Sequence, residues 1–168
     1  MASEAGGGER RGLLVDYGGV LTSNVFESFR AFCEREGLDP EEVSRRLRKD
    51  PAARELLIEL ETGRLKDEEF ETRFANLLGV PHSGLIDRLF AGASPEPEML
   101  EAVLRARKAG IRTGLISNSW GTERYDWGRL AELFDGVVIS GDVGIRKPAS
   151  EIYALGAERI GLTPRQCV

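Results

Sequence analysis

Leu13-Leu14-Val15-Asp16-Tyr17-Gly18-Gly19-Val20-Leu21-Thr22 is the stretch on which the reading of this chain turns. An apolar run bounded by glycine reads as a short buried strand. A buried strand cannot hold a free carboxylate in its interior, so Asp16 is expected where the strand leaves the sheet. Ligands of open α/β sheets bind outside the carboxyl ends of the strands, which gives Asp16 a position suited to chemistry. From this stretch alone, an aspartate that merely starts a turn reads equally well. The rest of the chain decides between the two.

After the Gly-Gly turn the pattern becomes helical, with no convincing strand up to about residue 92. Asn24 caps a first helix, with Glu27 as the partner of a capping box, Phe26, Phe29, Phe32 and Cys33 on one face, and Gly37 as its end. Asp39-Pro40 and Asp50-Pro51 are cap-then-proline starts for helices over 41–49 and 52–61. A helix over 67–78 follows, then a short one over 83–90. Ser94-Pro95 opens a long helix closed by Gly110.

From there strands at 111–116 and 136–139 alternate with short helices over 122–134 and a helix over 150–160. Cys167-Val168 reads as the opening of one more strand. This order predicts an α/β protein: a Rossmann-like parallel sheet with crossover helices, interrupted after its first strand by an inserted all-helical cap. The expected division is a flexible tail over 1–10, an α/β core over 11–23 and 93–168 whose C-terminal part is incomplete, and a helical cap over 24–92.

Composition narrows the function classes. The chain has 168 residues, 41% hydrophobic and 30% charged, with a net charge of -5, which argues against a nucleic-acid partner. No apolar run reaches the length of a membrane span, and the first residues lack the apolar centre of a signal peptide. With Cys33 and Cys167 too far apart in sequence for a disulfide framework, the expected location is the cytoplasm. The single histidine, His82, excludes a zinc site built on several histidines.

Three predicted strands end in polar residues: Asp16, then Ser117-Asn118, then Ser140-Gly141-Asp142 leading to Arg146-Lys147-Pro148. In a parallel sheet these three groups share one edge. A carboxylate, a hydroxyl with exposed N–H groups and a lysine describe a phosphoryl-transfer site. The carboxylate can attack phosphorus, and the others can hold phosphate oxygens as charge builds. Asp142 is read as a loop residue, Arg146 as a surface charge and His82 as structural. Trp120 and Trp127 are candidates for a substrate entrance, although aromatic residues near helices are more often core.

The ordered set of DYGGVLT, Ser117-Asn118 and GIRKPASEIY resembles the haloacid dehalogenase-like hydrolases of the helical-cap branch, over about residues 11–168. It is similar in particular to the phosphatases related to the N-terminal domain of soluble epoxide hydrolase. The resemblance implies Asp16 as a nucleophile forming an aspartyl-phosphate, Ser117 and the Asn118 backbone as phosphate binders, and Lys147 as the lysine pairing with both. It implies magnesium, held by Asp16 and the Gly18 backbone carbonyl, and a small phosphorylated substrate. Oligomeric state stays open.

Two departures stand out. Family phosphatases carry a second aspartate two residues after the nucleophile, where this chain has Gly18. General acid–base catalysis is worth about 10²–10⁴-fold, so its absence raises the barrier by about 3–5 kcal/mol unless another group substitutes. The family's fourth motif, an aspartate pair after the next strand, falls beyond Val168. Two alternatives therefore stand beside the phosphatase: a 2-haloacid dehalogenase, which needs no second aspartate, and a degenerate member that binds a phosphorylated ligand or a partner protein.

Overall fold

The computed structural model describes residues 10–168; all but the last residue of the expected tail lies outside them. Strands β1 (Gly12–Val15), β2 (Arg112–Ser117) and β3 (Gly136–Ile139) form a parallel sheet in the order β1-β2-β3. Val15 pairs with Leu115 and Ser117 with Ile139, so the polar ends of all three strands meet at one edge. On the far side of β1, Leu14 N–H donates to the Val168 carbonyl at 2.8 Å and Cys167 bridges Gly12. The expected strand opening at 167–168 therefore pairs in parallel with β1.

Between β1 and β2 the chain runs through α1 (Val25–Arg35), α2 (Glu42–Lys49), α3 (Pro51–Glu61), α4 (Asp67–Leu78) and α5 (Leu85–Phe90). It continues into α6 (Pro97–Lys108). Local chemistry sets these ends. The Asp50 carboxylate accepts from Ala52 N at 3.0 Å, and Pro51 follows where its missing N–H costs nothing. Asn24 caps α1 by accepting from Phe26 N at 3.0 Å. No bond from Glu27 closes the expected capping box among the described residues.

Two starts differ from the sequence reading. The short helix begins at Leu85 because Gly84 sits at φ 60°. The long helix begins at Pro97 and not after Ser94, because Pro95 is drawn into an antiparallel bridge with Thr22.

Helices α1–α5 bury a core of their own, drawn from residues 29–89, with Phe32, Phe70 and Phe74 fully enclosed. Each such ring contributes about 1.5–3 kcal/mol by leaving water. This is the inserted all-helical block, and its entry and exit strands run side by side. Ser23 N donates to the Ser94 carbonyl at 2.7 Å, and Ser94 N returns a bond to Ser23 Oγ at 3.0 Å.

After β2 come a short 3₁₀ turn (Thr122–Arg124), α7 (Trp127–Leu133), β3, α8 (Ser140–Val143) and α9 (Ser150–Arg159). Strand alternation splits the sheet residues between two faces. Val15, Leu115 and Ile139 pack with Val103 of α6 and Leu130 and Leu133 of α7. Leu14, Ile116 and Val138 pack with Ile152 and Leu155 of α9. Helix α9 lies unusually close to the sheet. A methyl group on Gly156 would stand 2.5 Å from Ile116 Cδ1, and one on Gly114 would stand 3.1 Å from Ile160 Cγ2 at the end of this helix. Gly114, an apparent weakness in β2, is what admits this helix.

Candidate active site

Leaving β1, residues 17–22 close a tight turn. The Tyr17 carbonyl accepts from Leu21 N at 2.9 Å and from Val20 N and Thr22 N at 3.3 Å. Gly19 takes φ 75°, a conformation glycine adopts without steric cost. The turn holds Asp16 and Gly18 at the sheet's carboxyl edge, both lining a cavity of about 890 Å³.

Asp16 keeps 45% of its side chain exposed. Its Oδ1 accepts from Tyr17 N at 2.7 Å and lies 2.5 Å from Lys147 Nζ. Oδ2 carries no hydrogen bond among the described residues. Lys147 also donates to the Ile116 carbonyl at 3.0 Å, which ties its ammonium to the end of β2.

The Lys147 main chain is clasped by the Asn118 amide. Lys147 N donates to Asn118 Oδ1 at 2.8 Å, and Asn118 Nδ2 donates to the Lys147 carbonyl at 3.2 Å. Asn118 was expected to contribute its backbone; its side chain fixes the lysine as well. Ser117 is buried, with its Oγ 2.8 Å from the Tyr125 hydroxyl. The five residues named from the sequence, Asp16, Gly18, Ser117, Asn118 and Lys147, all line the one cavity.

The structure adds residues the sequence reading missed. Glu61, the last residue of α3, is only 5% exposed, and its Oε2 accepts from Arg146 Nε at 2.5 Å and from Asn118 Nδ2 at 3.5 Å. Arg146 is thus an ion-pair partner of a buried carboxylate and not a free surface charge. Burial pushes the Glu61 carboxyl up, against the opposing pull of Arg146. A signal was present: Ala53, Leu56 and Leu60 mark the buried stripe of α3, and Glu61 lies on it.

Tyr125 is the second omission, and nothing local marked it. Burial pushes its phenol up to about 12, so at neutral pH it is an uncharged hydroxyl against Ser117. Its ring meets Tyr17 edge-on at 4.9 Å.

Trp120 lines the cavity, and its ring also stands 5.5 Å from Phe29, 5.5 Å from Phe70 and 5.3 Å from Phe90 of the helical block. Trp127 is 47% exposed and is not among the lining residues. Asp142 is exposed on α8, and His82 is exposed.

The donor set bears on magnesium. Asp16 and the Gly18 carbonyl are hard oxygen donors, with no histidine or cysteine beside them. Magnesium is commonly held by one or two carboxylates plus phosphate oxygens and water, and this pair suits that mode. No group of three or more His, Cys, Asp or Glu residues able to hold a metal occurs among the described residues. Also among these residues, no helix is long and apolar enough to cross a membrane.

Comparison with known proteins gives a consistent picture. The model of one family, described as haloacid dehalogenase-like hydrolase, matches residues 11–168. A glyceraldehyde 3-phosphate phosphatase of Methanopyrus kandleri is 29% identical over 87 residues, which are 49% of this chain and 36% of that protein. The match therefore spans about a third of that relative's length. A HAD family enzyme of Bacteroides thetaiotaomicron superposes with a TM-score of 0.71 at 20% identity, covering 95% of this chain and 83% of that one. That enzyme has also been solved with magnesium and inorganic phosphate. L-2-haloacid dehalogenase of Xanthobacter autotrophicus superposes with a TM-score of 0.62 at 20% identity, covering 94% and 67%. At such identities the two structures speak for the fold.

Proposed function

The chain belongs to the haloacid dehalogenase-like hydrolase family, and from that membership we propose that it is a magnesium-dependent phosphatase of a small organic phosphate. The observation that carries the proposal is the 2.5 Å pairing of Lys147 Nζ with Asp16 Oδ1 at the carboxyl edge of the sheet, beneath a cavity. Asp16 attacks phosphorus, the ester P–O bond breaks, and the leaving alkoxide takes a proton from solvent. Lys147 and Ser117 hold the phosphoryl oxygens and favour the more charged transition state. Water then cleaves the aspartyl-phosphate, which releases phosphate and restores the carboxylate. Magnesium, held by Asp16 and the Gly18 carbonyl, would offset negative charge on the phosphoryl group. The Methanopyrus kandleri relative, a glyceraldehyde 3-phosphate phosphatase by name, supports a phosphorylated small-molecule substrate.

The test is phosphate release from a panel of phosphate esters by the wild-type chain and by Asp16→Asn. Release that disappears in the variant is the expected result; release that continues unchanged would sink the proposal.

Gly18 favours one second reading. It has no side chain to act as general acid or base, a lack that matters less to a 2-haloacid dehalogenase. Halide release from a 2-haloacid without magnesium would decide for that reaction. A methyl group on Gly18 would meet the Val25 side chain at 3.3 Å, so the position takes a Cβ with a small shift of Val25. If the phosphatase proposal holds, Gly18→Asp should raise kcat by about 10²-fold or more, the usual worth of a positioned acid–base group.

A further inference from the structure

We propose that the ester this site accepts carries an apolar, aromatic-sized alcohol and not a sugar or a small polyol; the inference rests on the phosphatase reading above. The cavity over Asp16, at about 890 Å³, is of the size that encloses a drug-sized ligand and far exceeds the needs of a phosphate with a short polyol.

Its walls separate by chemistry. The groups able to engage phosphate gather at the sheet edge, whereas Phe26, Phe90, Leu100 and Trp120 present carbon to the same space. Phe26 is 61% exposed at the mouth, a large apolar ring left in water. The Phe90 and Trp120 rings meet edge to face at 5.3 Å, an arrangement a third ring can extend.

Several polar side chains of the walls are already engaged. Thr22 Oγ1 accepts from Gly19 N at 3.1 Å and donates to the Ser23 carbonyl at 3.2 Å. Arg124 is paired with Asp87, and Arg129 with Glu132 at 2.7 Å. A polyol entering here would shed water from its hydroxyls and meet Thr22, Arg124 and Arg129 already paired, which costs affinity. An apolar ring sheds only unfavourable hydration and covers Phe26.

The experiment compares 2-phenylethyl phosphate, ethyl phosphate and glycerol 3-phosphate on the full chain with magnesium. All three break the same primary alkyl ester bond, so leaving-group acidity does not set their order. Acetyl phosphate serves as a probe of phosphatase chemistry with almost nothing for the walls to touch. The expected result is a kcat/KM for 2-phenylethyl phosphate about 10–100-fold above glycerol 3-phosphate, mostly through KM. Phe26→Ala should narrow that gap by raising KM for the phenyl ester.

Glycerol 3-phosphate equal or superior, with acetyl phosphate still hydrolysed, overturns this inference and leaves the phosphatase reading standing. Failure on all four overturns the phosphatase reading. Calorimetric binding of 2-phenylethyl phosphate and glycerol 3-phosphate to Asp16→Asn then judges the preference without turnover, and equal affinities overturn it.

Discussion

Lys147 is held at both ends, its main chain by the Asn118 amide and its ammonium between Asp16 and the Ile116 carbonyl. Lys147→Met keeps the length and removes the charge. Phosphate release should fall about 10²–10³-fold, the usual cost of losing one preorganised donor, as read by steady-state kcat. Glu61 stands one contact behind, since it faces the Asn118 amide from the helical block. Glu61→Gln should lower kcat about 10–100-fold with little change in KM, because small misplacements of catalytic groups are costly. It should also speed acylation of Lys147, read by mass spectrometry; unchanged Lys147 reactivity in a folded variant would rule out this positioning role. Tyr125 gives a pH signature. Its phenol is neutral up to about 12 when folded but ionises near 10 when unfolded, so the unfolded state loses its proton first as pH rises. Stability should then fall between pH 10 and 12 by about 3 kcal/mol on account of Tyr125, and Tyr125→Phe should flatten that slope in urea titrations followed by circular dichroism. Asp16, Ser117 and Lys147 were legible because each ends or follows an apolar strand. The buried place of Glu61 on the α3 stripe was readable but its partner was not, since Arg146 lies 85 residues away and meets it only through tertiary packing, and Tyr125 carried no local mark.

Among the elements, α9 depends on a missing side chain. Alanine normally improves a helix by about 1 kcal/mol over glycine. At Gly156 the added methyl would stand 2.5 and 2.8 Å from the Ile116 side chain, so the helix must lift from the sheet. Overpacking costs about 1–3 kcal/mol and should win. Gly156→Ala is therefore expected to lower the melting temperature despite its better propensity. Helix starts were legible where a side chain caps its own chain locally, as at Asp50-Pro51. The same signal misled at Ser94-Pro95, where Thr22, remote in sequence, pairs with Pro95 and the helix waits for Pro97. Turn geometry and tertiary pairing compete there, and the sequence window contains only one of the competitors. Asp142 of α8 is read as a loop residue for a related reason: nothing but its place after β3 distinguishes it.

At the scale of the whole molecule, the helical block is fastened to the sheet by a few contacts of different kinds. Arg146 pairs with Glu61, Arg124 with Asp87, and Trp120 enters the aromatic cluster of Phe29, Phe70 and Phe90. Trp120→Ala should cost about 3 kcal/mol, read as a lower urea midpoint by circular dichroism. The two connecting strands keep the block's entry and exit together, so strand β1 meets β2 only across a span of about 100 residues. A ribosome adds about 5–20 residues each second, so β1 leaves it about 5–20 s before its partner exists. Five of the six helices made in that interval share a buried core drawn from residues 29–89, on which Trp120 packs only later. During synthesis the insert can thus condense first, while the strand that bears Asp16 stays unpaired beside it and open to chaperones until β2 arrives.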